Sequence, residues 1–240
     1  LSLILFSGFT AGLISCNDNK PDPNRTEADI FGSVALFNEF TDPLPDSGMT
    51  VSILGSIPLN STKTDIDGKY VFENLPFGTY NLLFQKEGYG DFIKVVDHLN
   101  NTDGVTGVEL LLLGQKSNTK VPILQVIPVT INVTIKVTVD SIGTPERPRY
   151  YRIFYSTEND VSNIAFQFQS GRLTATSAVN ETFLSVGDIH AMGFLPGDIV
   201  FVKAYGESFY PNDYFDPLLG RVVFPNENLI SANDKSFEVQ

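Results

Sequence analysis

Short apolar runs, separated by turn-forming residues about every ten positions, constrain the fold of this 240-residue chain more than any other feature. In the first half the runs lie at 30–37, 49–54, 69–73, 79–85, 92–97 and 106–113. In the second half they lie at 150–156, 164–169, 172–177, 182–186, 199–205, 221–224 and 236–239. Short, regularly spaced strands are typical of β-sandwiches, and no stretch holds a helical apolar period over three turns. The sequence therefore predicts an all-β protein.

Residues 129–139 carry the clearest periodicity. Six apolar residues alternate there with polar ones: Val129, Ile131, Val133, Ile135, Val137 and Val139. This pattern places one face in a core and the other in water, as in an antiparallel sheet. We expect a single strand of eleven residues, about 36 Å long at the usual rise per residue.

Composition excludes three classes of protein. The chain has 16 Lys and Arg against 28 Asp and Glu, a net charge of −12, which argues against a nucleic-acid partner. One cysteine excludes a disulfide-stapled scaffold. A chain that is 42% hydrophobic and 12% aromatic is also unlike a disordered protein.

The first fourteen residues are almost entirely apolar or small, and too short to span a bilayer. Their length is that of the apolar region of a signal peptide. The run ends at Leu13-Ile14-Ser15-Cys16, followed by polar residues. This block resembles the lipobox of bacterial lipoprotein signal peptides. The resemblance implies a signal peptide over residues 1–15, truncated in its n-region, with cleavage before Cys16 and lipidation, including palmitate, of Cys16.

The lipobox also implies a location and a membrane partner. Lipid chains on Cys16 would anchor the mature chain to the outer membrane of the cell envelope. Residues 16–28 are polar, contain two prolines and are expected to form a tether. An acidic residue soon after the cysteine resembles export signals of some Gram-negative surface lipoproteins. Surface-exposed and periplasm-facing orientations both stay open.

Residues 29–114 carry a second resemblance. Thr64-Asp65-x-x-Gly68-x-Tyr70-x-Phe72-x-x-Leu75-Pro76-x-Gly78-x-Tyr80, followed by Gly88-Tyr89, looks like the carboxypeptidase regulatory-like domain. That family has a seven-stranded, transthyretin-like sandwich and carries no peptidase activity in this module. The resemblance gives the motif residues a structural role: Asp65, Gly68, Tyr70, Phe72, Gly78 and Tyr80.

Two chemistries of related domains are not expected here. The isopeptide bond of bacterial adhesin repeats needs a first-strand lysine, and a glutamate where this chain has Phe84. Residues 65–68 read Asp-Ile-Asp-Gly, like a fragment of a calcium loop, but the further ligands of such a loop do not follow. We therefore expect a structural turn and no cofactor, with calcium as the minor alternative.

A polar linker at residues 115–120 is expected to lead into a second domain at 120–240. Its segment from Phe194 to Tyr205 resembles the E–F corner and F strand of fibronectin type III or immunoglobulin-like domains. The corner tyrosine of those domains would fall at Val200. Asp140-Ser141-Ile142 resembles an O-glycosylation acceptor of some envelope proteins, and glycosylation of Ser141 is left open.

Catalytic signals are sparse. The two histidines, His98 and His190, fall in different predicted domains and are expected at the surface or in turns. Metalloprotease, nucleophile-elbow and phosphate-loop motifs are missing from the sequence. We predict that the protein is not an enzyme. A paired-carboxylate hydrolase stays open, because 28 acids offer many pairs.

An aromatic and acidic stretch near residue 210 is the best candidate for a ligand-binding loop. Its candidate residues are Tyr205, Glu207, Phe209, Tyr210, Asp213, Tyr214 and Asp216. Aromatic faces stack on sugars and carboxylates bind calcium or sugar hydroxyls, but the same residues could seal the end of a sandwich. Two hypotheses follow: a non-catalytic structural or interaction module with an envelope partner, or a glycan- or calcium-binding accessory protein of a nutrient-uptake system.

Overall fold

The computed structural model describes residues 20–240, which are built almost entirely from β-strands. The apolar leader and Cys16 lie outside the described residues. Each sandwich has its own main hydrophobic core, formed by residues between Ile30 and Leu113 in the first and between Val121 and Val239 in the second. A smaller apolar cluster in the second sandwich contains Phe154, Val161, Tyr205 and Phe224. The prediction of an all-β fold with two tandem sandwiches is confirmed.

The first sandwich contains nine strands. They are β1 (Glu27–Phe37), β2 (Pro43–Leu44), β3 (Thr50–Ile53), β4 (Ser61–Lys63), β5 (Lys69–Pro76), β6 (Gly78–Gln85), β7 (Phe92–His98), β8 (Val105–Gly107) and β9 (Leu111–Gly114). One sheet has the order β4-β3-β6-β7. In the other, β1 pairs with β2, β5, β8 and β9. The inward residues of both sheets, including Ile30, Leu82 and Phe84, form the core.

The second sandwich contains ten strands and one short helix. They are β10 (Ile123–Val129), β11 (Asn132–Thr138), β12 (Arg149–Ser156), β13 (Phe168–Gln169), β14 (Leu173–Ala175), β15 (Val179–Ser185), α1 (Val186–Ala191), β16 (Ile199–Glu207), β17 (Tyr214–Asp216), β18 (Arg221–Val223) and β19 (Lys235–Glu238). One sheet runs β10-β11-β15 and the other β13-β12-β16-β19, with β14 beside β12. Strands β17 and β18 form a separate hairpin.

The sheet around β1 is mixed rather than purely antiparallel. Strands β8 and β9 both run parallel to β1, pairing with its first and second halves respectively. The apolar run at 106–113, expected to be one strand, is therefore two strands with a break between them. At that break Val108 N donates to Phe31 O over 2.8 Å, so the chain stays attached to β1.

The prediction of one eleven-residue strand at 129–139 is wrong. Thr130 and Ile131 form a two-residue turn, and β10 and β11 pair as a hairpin with Val129 opposite Asn132. Cross-strand partners such as Leu124 and Val137 have opposite parity, so the inward positions switch from even to odd at this turn. Val129 and Ile131, which were expected on the core face, are exposed, and they hide the switch because they continue the odd-numbered apolar series. Pro128 lies in β10, which is an edge strand, where a residue without an N–H is tolerated.

Helix α1 was not predicted, although the sequence carries its starting signal. Ser185 is the N-cap: its hydroxyl accepts from Asp188 N, and Asp188 Oδ2 accepts from Ser185 N over 2.8 Å. This reciprocal pair is a capping box. The helix has only six residues, too few for a period of three turns to appear.

The motif residues of the first sandwich shape a turn and fill the core. Asp65 Oδ1 accepts from the backbone amides of Asp67 and Lys69, while Gly68 adopts a positive φ of 74°. Tyr70 and Phe72 then enter the core, with exposed fractions of 4% and 3%. Further along, Tyr80 donates its hydroxyl to Pro76 O over 2.6 Å, and Gly78 opens β6.

The N-terminal end of the described chain and the second sandwich lie at opposite ends of β1. Thr26, just before β1, accepts from Phe77 N, and Arg25 donates to Asn101 O. At the other end of β1, the Phe37 ring packs against Tyr210 of the second sandwich, with centroids 4.8 Å apart. Ten residue steps of β-strand separate these ends by about 33 Å. Across residues 20–240, no helix has the length and apolar character needed to cross a bilayer.

Gly68→Ala tests the turn. An added Cβ would lie 2.2 Å from Val34 O, and the positive φ is unfavourable for alanine. We expect the free energy of unfolding to fall by about 1–3 kcal/mol, measured by urea denaturation. Gly78→Ala is the matched control, because a Cβ there meets no atom within 4 Å and φ is not positive. Equal losses in both variants would contradict the assigned role of Gly68.

Candidate functional site

The predicted loop after β16 lies at the junction of the two sandwiches. Phe209 N donates to Glu39 O of the first sandwich over 3.1 Å. Asn212 Oδ1 accepts from Gly114 N over 2.9 Å, and its Nδ2 donates to Leu112 O over 2.7 Å. The loop therefore contacts the end of β9 through hydrogen bonds to the backbone of that strand, not to its side chains.

Aromatic rings extend the same contact. Tyr210 packs between Phe37 and Phe209, with centroid distances of 4.8 and 4.9 Å. Phe209 meets Tyr150 of β12 edge-on at 5.9 Å. The Tyr214 ring contacts Phe92 of β7 at 5.1 Å. Aromatic pairs of this geometry add to the apolar area that they bury.

Asn226 is the hub of the junction. Its Nδ2 donates to Gly114 O, Tyr210 O and Asn212 Oδ1 over 3.0, 2.7 and 2.8 Å. Its Oδ1 accepts from Gly90 N over 3.0 Å, and its backbone O accepts from Ser117 N over 2.8 Å. Asn226 is 1% exposed. One side chain thus satisfies buried groups from both sandwiches.

A second polar contact centres on Glu39. Its carboxylate accepts from Asn118 N over 2.8 Å and pairs with Arg149 Nη1 at 3.0 Å. The Arg149 guanidinium lies over the Phe40 ring, 4.8 Å from its centroid. The segment 115–120, expected to be a linker, is held in this contact, and Thr119 is 0% exposed.

Behind Asn226 lies a buried cluster of charges, which we call the Arg152 cluster: Arg152, Glu207 and Glu227. Arg152 Nε is 3.1 Å from Glu207 Oε2 and 3.9 Å from Glu227 Oε1. The side chains are 5%, 0% and 0% exposed. Arg152 stacks on Phe224 at 4.5 Å, and its Nη1 donates to Gln169 Oε1 and Ser170 O.

The pKa values of both carboxyls in the Arg152 cluster are raised, that of Glu227 more strongly. Burial raises the pKa of Glu207, while Arg152 offsets part of that rise. Burial raises the pKa of Glu227 well above the usual range, and the nearby Glu207 raises it further. Within residues 20–240, neither carboxyl oxygen of Glu227 has a partner in hydrogen-bond geometry. The Asn163 side chain favours the charged form of Glu227, but to a smaller extent than burial opposes it.

A cleft of about 480 Å³ lies over this cluster. Its lining includes Lys116, Asn163, Phe224, Glu227 and Asn228. Because the side chain of Glu227 is 0% exposed, the carboxyl lies beneath the floor of the cleft rather than in contact with solvent.

Of the seven candidate loop residues, only Phe209, Tyr210 and Tyr214 are brought together at the junction. Tyr205 and Glu207 are buried in the second sandwich, and Phe209, Tyr210 and Tyr214 pack as described above. Asp216 Oδ1 accepts from the amides of Leu218 and Leu219, whereas Asp213 is exposed. Ligand binding by these residues stays a prediction.

Three residues of the site were missed from sequence: Arg152, Asn226 and Glu227. An arginine inside the otherwise apolar run of β12 was an available signal, because a buried charge needs a partner. The asparagine and the glutamate lie in a Pro-Asn-Glu-Asn stretch that resembles an ordinary exposed turn. No local pattern connects Asn226 with Arg152, which lies 74 residues earlier in the chain.

The expectation that both histidines are at the surface is wrong for His98. It is 0% exposed; Nδ1 lies 2.7 Å from Thr106 Oγ1, and Nε2 donates to Leu75 O over 3.1 Å. These contacts hold the ends of β5, β7 and β8 together. His190 is exposed, in the last turn of α1. In the part of the chain that the structure describes, no group of three or more His, Cys, Asp and Glu is placed to hold a metal ion.

Comparison with known proteins does not assign the chain to a family. No family model matches the chain, and no curated protein matches it. Among solved structures, a Bacteroides uniformis protein described as a "putative carbohydrate binding protein" is 12% identical, with 89% of this chain and 100% of that chain covered and a TM-score of 0.33. A DUF3823 family protein from Parabacteroides merdae is 8% identical, with 89% and 99% covered and a TM-score of 0.33.

Domains FN1–FN3 of chicken CNTN1 are 12% identical, with 92% of this chain and 66% of that chain covered and a TM-score of 0.31. At these identities and TM-scores we draw no conclusion about family, ligand or activity.

Asn226→Ala tests the hub. The change leaves Gly90 N and several carbonyls buried without partners, so we expect a loss of about 2–4 kcal/mol of stability in urea denaturation. Limited proteolysis is expected to cleave the 115–120 segment faster. Asn228→Ala is the control, because the Asn228 side chain accepts only a local bond from Ile230 N. A loss under about 0.5 kcal/mol for Asn226→Ala, the range of an ordinary surface change, would contradict the role of Asn226.

Proposed function

We propose that this chain is a non-catalytic, lipid-anchored protein of the cell envelope, in which the first sandwich holds the second away from the membrane as a structural or interaction module. One observation carries this proposal: the N-terminal end of the first sandwich and its junction with the second are at opposite ends of β1. An anchor at Cys16 would therefore place the first sandwich next to the membrane and the second sandwich beyond it.

The contacts at the junction support a fixed relative orientation of the two sandwiches. The contacts of Asn226 and Glu39 and the Phe37–Tyr210–Phe209 stack come from different parts of both sandwiches. Domains joined only by a flexible linker would lack such buried polar contacts. A module that presents a surface at a set distance benefits from this stiffness.

The buried groups support a non-catalytic role. His98 is 0% exposed and bonded on both ring nitrogens to its own sandwich. Glu207 and Glu227 form the most perturbed carboxyl pair, but both side chains are 0% exposed. A hydrolase needs its carboxyls within hydrogen-bond reach of the substrate, and these are covered by protein.

The glycan- or calcium-binding alternative receives less support. A sugar-binding platform needs an open ring face, whereas Phe209, Tyr210 and Tyr214 pack on other rings at the junction. Asp216, a candidate calcium ligand, is 7% exposed and accepts from two backbone amides. Glycan-array binding that is lost in Tyr210→Ala and Tyr214→Ala would favour this alternative.

The anchor is tested with Cys16→Ser in the full precursor expressed in a Gram-negative host. We expect the wild-type protein in the outer-membrane fraction, with a mature N-terminus at a lipidated Cys16 in intact-mass analysis. Cys16→Ser is expected in the soluble envelope fraction or as uncleaved precursor, because a serine at this position cannot carry the lipid chains that would anchor the mature protein. The proposal fails if wild-type Cys16 is unmodified, with residues 1–15 still attached.

A further inference from the structure

Segment 224–228 contributes neighbouring residues to two polar networks, one at the junction with the first sandwich and one inside the second sandwich. Asn226 reaches the first sandwich through Gly90, Gly114 and Ser117. The next residue, Glu227, reaches back into the second sandwich towards Arg152. Glu227 is therefore one residue away from the hub of the junction.

The charges around Glu227 do not balance. Glu207 and Arg152 face it from β16 and β12, and Asp213 contributes a further negative charge from the loop. Tyr205 on β16 also faces it and is neutral in its ordinary state. Lys116 lines the cleft above. In residues 20–240, Arg152 alone among the cations is within 4.0 Å of Glu227, at 3.9 Å.

Arg152 cannot neutralise both carboxylates. Its Nε is 3.1 Å from Glu207, and its Nη1 is taken by Gln169 and the Ser170 carbonyl. With both glutamates ionised, one buried cation would face two buried anions, leaving one uncompensated charge. Such a charge is strongly unfavourable, so the pair retains a proton instead.

We propose that the Arg152 cluster is a proton-dependent lock on the junction: Glu227 carries a proton while the two sandwiches are locked, and the loss of that proton loosens segment 224–228 from the first sandwich. Glu207 remains the charged partner of Arg152. The neutral Glu227 carboxyl fits a site that offers it no ionic partner of its own.

The direction of the pH effect follows from linkage. A carboxyl whose pKa is raised by folding contributes stability below its unfolded pKa, and this contribution is lost as the pH rises through the folded pKa. Burial raises the pKa of Glu227 well above its usual range. The lock is therefore closed at acidic pH and opens as the pH rises.

Hydrogen exchange at two amides reports on the lock directly. Gly90 N and Ser117 N donate to the side chain and the backbone of Asn226. In the wild-type protein, we expect their protection factors, corrected for intrinsic exchange, to fall by up to about tenfold per pH unit between the ordinary glutamate pKa, about 4.3, and the raised pKa of the locked state, and to level off above it. In Glu227→Gln, which imitates the neutral acid, protection is expected to stay constant over the same pH range.

Glu109→Gln is the matched control, because Glu109 is an exposed glutamate that pairs with Lys94 on the first sandwich. It should keep the wild-type pH profile. The proposal is overturned if wild-type protection at Gly90 and Ser117 is independent of pH, or if Glu227→Gln retains the wild-type slope.

A direct titration keeps the test decisive if Glu227→Gln fails to fold. The carboxyl carbon of Glu227 in the wild-type protein can be followed by NMR. We expect its pKa to lie well above the ordinary value for a glutamate, about 4.3. A Glu227 that titrates at the ordinary value would overturn the proposal.

Discussion

The relative position of the two sandwiches depends on one buried amide. Asn226 is almost fully enclosed and bonds to backbone groups near the ends of β7, β9 and β16. A backbone N–H or C=O group that is buried without a partner costs free energy. The side-chain amide of Asn226 and the backbone groups that it bonds therefore hold one another in place. The aromatic stack of Phe37, Tyr210 and Phe209 adds apolar area around this point, but it does not define a direction as hydrogen bonds do.

The Arg152 cluster has a different role from that of Asn226. Buried ion pairs often contribute little net stability, because desolvation offsets their attraction, whereas breaking them by removing one partner is costly. Arg152 also stacks on Phe224 and bonds the turn at Ser170, so it fixes the start of the segment that carries Asn226. We therefore attribute to the cluster a role in fixing the conformation of this segment rather than a large contribution to the free energy of unfolding.

Sequence patterns correctly predicted features that depend on residues close to one another in the chain. Alternation identified Val133, Ile135 and Val137 as core, and the Asp65–Gly68 spacing predicted a real turn. Alternation did not reveal the Thr130–Ile131 turn, because the exposed Val129 and Ile131 continue the apolar series of β11 although the inward positions of β10 are the even ones. His98 and the Arg152 cluster were missed for a different reason. Their partners are distant in sequence, and only the packing of sheets brings them together.

The proposed membrane attachment and the orientation of the second sandwich depend on different parts of the chain. Attachment to a membrane would depend on Cys16, which precedes the first sandwich in the sequence, whereas Asn226 holds the second sandwich at the far end of β1. The two cores are distinct, so loosening the junction need not unfold either of them. A proton lost at Glu227 would then change the position of the second sandwich without releasing the chain, because none of the groups that it affects lies near the N-terminal end of β1.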